Sequence, residues 1–303
     1  MKMPSFFAKI LLFGEYGIIE NAKGLTIPYN FYKGTLRFDP QPGAEESNNH
    51  LQQFATYLQE NLPDLLDYDR LQEDLKTGMH FDSDIPQGYG VGSSGALVAA
   101  IYDKYALQKI QTNNIHKSEI AELKNIFGQM ESYFHGKSSG IDPLICYMNI
   151  PLLINSKTDI DTVGITPNEN GKGAVFLINS GNPGKTGPMV QLFFEKLKNE
   201  GFRKTLQKEF NKYNDACIEA FIHGNKEPLF DNLKNLSNWA MLHLTPMIPT
   251  KMLKAWEKGI QTDDYYLKLC GSGGGGYVLG FTRDFDQATK ALAEFELQPV
   301  FRF

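Results

Sequence analysis

Cysteine is scarce in this chain. The three present, Cys146, Cys217 and Cys270, are odd in number and far apart, which fits neither a disulfide framework nor a clustered zinc site and points to a reducing compartment. Long apolar runs are missing too, since no segment approaches the ~18 uninterrupted apolar residues of a membrane helix. The N-terminal stretch around Phe6, Phe7 and Ile10 to Phe13 is interrupted by Lys9 and Glu15 and has no small-residue cleavage site after it. The reading is a cytoplasmic protein with no membrane partner. Positive charge is not in excess: the formal net charge is −5, so nothing attracts the chain globally to nucleic acid, and any anion must be bound locally. Internal repeats and low-complexity tails are also absent from the sequence.

What remains is ordinary globular material. With 303 residues, 42% hydrophobic and 21% charged, the chain can bury a core and is long enough for two lobes. The polar, glycine-containing stretch Pro167 to Gly173 places the boundary near 172, giving domains 1–172 and 173–303. Apolar runs predict strands at 8–13, 79–85, 174–179 and 277–281, and another at 29–38 after the Ile27-Pro28 break. Helical spacing predicts helices at 51–60, 95–107, 117–134, from about 190, and at 203–222, 229–242, 249–259 and 284–294. Residues 39–50 read as a surface loop. Alternating strands and helices in both halves give an α+β protein.

Four glycines and two serines crowd the segment Pro86-Gln87-Gly88-Tyr89-Gly90-Val91-Gly92-Ser93-Ser94-Gly95-Ala96 just ahead of a helix. Glycines let backbone N–H groups close on an anion, and the helix dipole adds partial positive charge, so the segment is a candidate phosphate cradle. The plainer reading is an N-cap by Ser93 or Ser94. Gly90, Gly92 and Gly95 also fit a dinucleotide fingerprint, but the required following strand and acidic residue are lacking near 115.

A second group follows in Glu131, His135 and Asp142. Phosphoryl transfer can use one carboxylate on a metal and another near the attacking hydroxyl; the alternatives are a solvated helix face for Glu131 and a turn or capping role for Asp142. His135, beside Gly136, reads as a helix C-terminal cap. The run Lys268 to Tyr277, with Gly271, Gly273, Gly274, Gly275 and Gly276, is another loop able to approach a ligand closely. Asn179-Ser180-Gly181-Asn182-Pro183-Gly184-Lys185-Thr186 approximates a Walker A loop, but Asn179 stands where glycine is required.

Taken together, these segments resemble the GHMP kinase superfamily, in particular mevalonate and phosphomevalonate kinases. The first motif resembles Ala8-Lys9-Ile10-Leu11-Leu12-Phe13-Gly14-Glu15-Tyr16-Gly17-Ile18-Ile19, the second residues 86–96 and the third 268–277. The resemblance implies two lobes, an N-terminal ATP-binding one like the second domain of ribosomal protein S5 and a ferredoxin-like C-terminal one. It implies an ATP-dependent kinase, with mevalonate as the favoured substrate. By the same carry-over Gly88, Gly90, Gly92, Ser93, Ser94 and Gly95 would bind ATP, Ser94 and Glu131 would hold Mg²⁺, and Asp142 with Lys9 would be catalytic. Weaker contacts to substrate or phosphate are implied for Glu15, Tyr16, Thr186, Gly273 and Gly274.

Departures from the family pattern matter for the substrate. Gly14-Glu15-Tyr16 replaces the Gly-Glu-His usual in mevalonate kinases and looks more like phosphomevalonate kinases. Gly95 stands where alanine is usual. A phosphorylated substrate would need more cations, for which Lys137, Lys185 and Arg203 are candidates. A nucleotide-binding sensor without turnover is the non-enzymatic alternative. The partner is then a small molecule, and the chain a monomer or homodimer.

Overall fold

The computed structural model describes residues 3–166, 168 and 170–303. Residues 167 and 169, part of the expected boundary stretch, lie outside these. The chain forms two compact units, and two strands, β1 (Ser5–Phe13) and β2 (Gly24–Arg37), contribute residues to both. The first sheet has the strand order β1-β2-β4-β5, with β3 pairing β2; β3 to β5 are placed below.

The first unit comprises residues up to Lys9, Ile27–Pro86 and Gly92–Ile150. It holds α1 (Ala44–Asn61), α2 (Tyr68–Lys76), β3 (His80–Ser83), α3 (Ser93–Tyr105), α4 (Lys117–His135) and α5 (Ile141–Met148). The far end of β2 pairs antiparallel with β3, Gly34 opposite Ser83. Small residues on α3 let it pack deeply: Ala96, Val98, Ala99, Ala100 and Ile101 are all buried. Its Tyr102 meets Phe127 of α4 and Tyr147 of α5 edge to face, with centroids 5.0 and 5.4 Å away, a geometry the ring quadrupoles favour.

The second unit comprises Ile10–Thr26, Gln87–Val91 and Pro151–Phe303. Its elements are β4 (Leu152–Ile154), β5 (Ile160–Thr162), β6 (Ala174–Asn179), α6 (Thr186–Leu197), α7 (Glu200–Thr205), α8 (Asn211–Ile222), α9 (Lys226–His243), α10 (Leu253–Thr262), β7 (Tyr266–Leu269), β8 (Tyr277–Thr282), α11 (Phe285–Ala291) and β9 (Leu297–Arg302). The start of β2 pairs with β4, and β4 with β5. The other four strands form an antiparallel sheet in the order β7-β8-β6-β9. With helices between β6 and β7 and between β8 and β9, this is the ferredoxin-like arrangement. Phe13, Phe221 and Phe281 meet beside the sheet.

Several local expectations are corrected. Residues 39–50 are not all loop: α1 begins at Ala44, its first turn favoured by Glu45 and Glu46 near the positive end of the helix dipole. The Asn48 amide there donates to the carbonyls of Leu75 and Met79. Pro28 does not break β2, because it falls between the stretches paired with β4 and β3, where those partners ask no N–H of it. The helix expected over 203–222 is interrupted by a π turn at Leu206–Phe210, and the one from about 190 begins at Thr186. The segment around Asp142 is not a turn but the opening of α5. Among the described residues no helix is long and apolar enough to cross a membrane.

Candidate active site

The first unit gathers most of the chemistry. Strand β1 carries Lys9, with its side chain buried to 5% exposure, onto Asp142 in the first turn of α5, Nζ to Oδ2 2.9 Å; Asp142 is 39% exposed. The asymmetry matters: the lysine is fixed by its surroundings, while the carboxylate it orients remains open to a substrate. Asp142 follows Gly140, which caps α5 in a left-handed conformation (φ 74°), and a carboxylate in a first helical turn is favoured by the dipole.

Glycine at 95 has a steric reason. A Cβ there would lie 2.8 Å from the carbonyl carbon of Asp142 and 2.9 Å from Pro143 N. The departure from the usual alanine therefore lets α3 lie directly against the start of α5. The phosphate-cradle segment enters α3 with Gly92 as N-cap (φ 84°) and no side-chain cap. The alternative reading, an N-cap by Ser93 or Ser94, is thus not observed, and Ser94 is used elsewhere.

Its hydroxyl donates to Glu131 Oε1 at 3.0 Å, and Ser138 Oγ donates to Glu131 Oε2 at 2.5 Å. His135 Nε2 lies 3.2 Å from Ser94 Oγ, so this histidine does more than end α4. Glu131 is only 3% exposed. Burial, reinforced by the negative charge of Asp142, pushes its pKa up to about 7, against the opposing pull of the Ser138 and Ser94 hydrogen bonds and Lys9. This has a measurable consequence. A carboxylate whose pKa is raised on folding stabilises the fold below about 4.5 and loses that contribution as pH rises through about 7. Urea unfolding in EDTA is expected to show the wild type losing on the order of 3 kcal/mol between pH 4.5 and 8. Glu131→Gln should flatten that dependence, and equal slopes in the two proteins would contradict the assignment.

In the second unit three loops interlock through their backbones. Gly184 N donates to Gly88 O (2.7 Å), Gly276 N to Asn182 O (2.6 Å) and Ser180 N to Gly276 O (2.9 Å). Gly90 leaves no room for a side chain, since a Cβ would sit 2.6 Å from the Cys270 carbonyl oxygen. The Walker-like stretch is therefore a packing loop whose Gly184 amide is already engaged. Gly274 N donates to Met247 O (2.6 Å) and Gly273 packs on the same carbonyl, so neither presents an open cradle of its own. Thr186, at the start of α6, accepts from Ser272 Oγ at 3.4 Å.

Tyr16 takes a left-handed conformation (φ 54°), stacks on Phe193 at 4.5 Å and donates its hydroxyl to Ser272 O at 2.6 Å. It is buried and acts as a strut between the first and third motifs. Glu15 is buried in an ion pair with Lys268, whose pKa is drawn down to about 7 by burial. Sequence reasoning missed Ser138 as a partner of Glu131 and gave His135 too small a part. Neither carries a spacing signal, because a serine before Ser-Gly and a histidine at a helix end are common in turns.

The structure is similar to L. major mevalonate kinase in complex with R-mevalonate (17% identity, TM-score 0.67, covering 100% of this chain and 96% of that one). It is similar to Streptococcus pneumoniae phosphomevalonate kinase in complex with phosphomevalonate and AMPPNP (14%, 0.67, 99% of each), and to Lactococcus lactis galactokinase complexed with galactose (11%, 0.62, 99% and 94%). Residues 49–149 match the family model of the GHMP kinases N terminal domain. The family match thus covers about a third of the chain, and the likeness to the solved kinases extends over the whole fold. A search of curated proteins found no match.

Proposed function

We propose that the chain is an ATP-dependent small-molecule kinase that phosphorylates mevalonate in isoprenoid precursor synthesis, in the cytoplasm. The observation that carries this reading is the Lys9–Asp142 pair at 2.9 Å, held in the same unit as the Ser94–Glu131 pair at 3.0 Å. In domain terms, residues 1–172 would form the ATP-binding domain and 173–303 the C-terminal domain.

The residues present fit Mg²⁺. Ser94 and Glu131 are hard oxygen donors, which this ion prefers, and Glu131 is a carboxylate that burial, with Asp142 nearby, holds at a raised pKa, so a cation beside it would favour its charged form. Bound there with ATP, Mg²⁺ would neutralise phosphate charge. The backbone from Gly88 through Gly90, Gly92, Ser93, Ser94 and Gly95 would hold the phosphates, the first-turn N–H groups of α3 having no helical acceptor. The substrate hydroxyl oxygen bonds to the γ-phosphorus as the bond to the ADP oxygen breaks. Its proton passes to Asp142, while Lys9 stabilises the negative charge growing on that oxygen. Thr186 would serve this reading as a phosphate contact. Glu15, Tyr16, Gly273 and Gly274 serve it by shaping loops rather than by free contacts.

Phosphomevalonate is the second reading, favoured by Tyr16 in the first motif. Exposed Lys137, Lys185 and Arg203 are candidate cations for a phosphorylated substrate. An ADP-release assay with Mg·ATP against mevalonate, phosphomevalonate, homoserine and galactose tests both. Saturable turnover of mevalonate is the expected result. Turnover of phosphomevalonate alone would transfer the assignment, and nucleotide binding without turnover on any of them would favour a sensor.

A further inference from the structure

Glu131 is held at both oxygens, and the two hydroxyls that hold it do different work. Ser94 comes from the phosphate-cradle helix α3. Ser138 comes from the link between α4 and α5, and its bond to Oε2 is the shorter, 2.5 Å against 3.0 Å. A serine hydroxyl has one proton and two lone pairs. The Ser138 proton is committed to Glu131, and its oxygen accepts the N–H of Gly140 at 3.1 Å. Gly140 is the cap of α5, two residues before Asp142. The Ser138 backbone N–H is tied in turn to Ser132 Oγ at 3.3 Å, next to Glu131 on the same helix. One hydroxyl thus joins the carboxylate assigned to the metal to the helix start that carries the carboxylate assigned to the proton.

Neighbouring Ser139 does not share this role, since its Oγ accepts from Ile141 N at 3.4 Å and serves only the α5 terminus. Without Ser138 the Glu131 side chain would keep a single fixed oxygen and could rotate about its terminal torsion, which is intrinsically broad. It would also leave a polar atom underpaired at a site that is 3% exposed.

We propose that Ser138 is a positioning residue: it sets the plane of the Glu131 carboxylate for the metal and fixes the spacing of that carboxylate from Asp142. The inference rests on the kinase reading and deepens it. Groups that orient metal ligands typically change metal affinity or activity by about 10–100-fold when removed.

The test is a Mn²⁺ titration, by electron paramagnetic resonance, of the full chain saturated with AMPPNP, with nucleotide affinity measured separately in EDTA. Ser138→Ala is expected to weaken Mn²⁺ by about 10-fold or more and to lower kcat by a similar factor. The KM of the phosphate acceptor and the nucleotide affinity in EDTA should stay within about twofold. Ser138→Thr keeps the hydroxyl and is expected to recover most of both losses; it carries the test if the alanine variant does not fold. Wild-type Mn²⁺ affinity in Ser138→Ala overturns the inference, as does a threonine variant as weak as alanine. If wild-type protein with AMPPNP binds no Mn²⁺, the kinase reading fails and takes the inference with it. If it binds and Ser138→Ala matches it, the inference alone fails.

Discussion

Asp142→Asn is expected to reduce kcat by about 10²–10⁴-fold, the range that a positioned acid or base contributes, while nucleotide affinity stays within about twofold. The amide is nearly the same shape as the carboxylate, so α5 keeps its first turn and Gly95 keeps its close approach to the backbone of residue 142. An oxygen also remains at hydrogen-bond distance from Lys9. What is lost is the negative charge that accepts or orients the hydroxyl proton, together with the counter-charge of the lysine. Because Lys9 is 4% exposed, some stability should be lost as well, by less than the roughly 3–5 kcal/mol that follows outright removal of a buried partner, since the amide oxygen still accepts a hydrogen bond. ADP release and calorimetric nucleotide titration separate the two effects. Unchanged turnover would falsify the mechanism, whereas loss of nucleotide binding would show that the substitution had disturbed the cradle.

The second large effect is expected at Gly140, where alanine should destabilise the protein by about 3 kcal/mol or more. Two costs add there. The residue has φ 74°, and a Cβ would lie 2.0 Å from Lys124 O and 2.6 Å from Gly128 N. The left-handed backbone alone costs about 1–2 kcal/mol for a residue with a side chain, and forcing a methyl group against backbone adds about 1–3 kcal/mol more. Gly136 supplies the control: it has φ 73°, and a Cβ added there would meet nothing within 4 Å, so Gly136→Ala should show the backbone cost alone. Thermal or urea unfolding of both variants measures the difference. Equal losses would mean that α4 and the start of α5 are not packed through Gly140, and that Asp142 is held by something else.

The motifs were legible because chemistry constrains them locally. Phosphate-cradle glycines must crowd the start of a helix, and strong apolar patterning marked α3, α4, β6 and β8. The elements that were missed are short or weakly patterned. Helix α2, with charged residues along most of its length, is held by the Asp67 cap on Arg70 N and by buried Tyr68, Leu71 and Leu75. Strand β9 alternates poorly and gains its identity by pairing with β6, where a register shift accommodates it between Val175 and Phe176. Helix α5 is apolar nearly throughout, so periodicity gave it no face to read, and its Pro143 is tolerated because it falls in the first turn.

The sequence by itself determined the family resemblance, the candidate phosphate cradle and the residue types of the proposed catalytic pair, because these depend on which side chains exist and on their order. Only the tertiary structure decided which of them touch. It brought Lys9 to Asp142 across 133 positions of chain (142 − 9), turned Tyr16 and Glu15 inward as struts, and used the Walker-like loop for packing. It also recruited Ser138 to Glu131. The physical reason is that burial and hydrogen-bond pairing are properties of neighbours, and neighbours in this fold are set by glycine-sized gaps between helices and loops that no local pattern records.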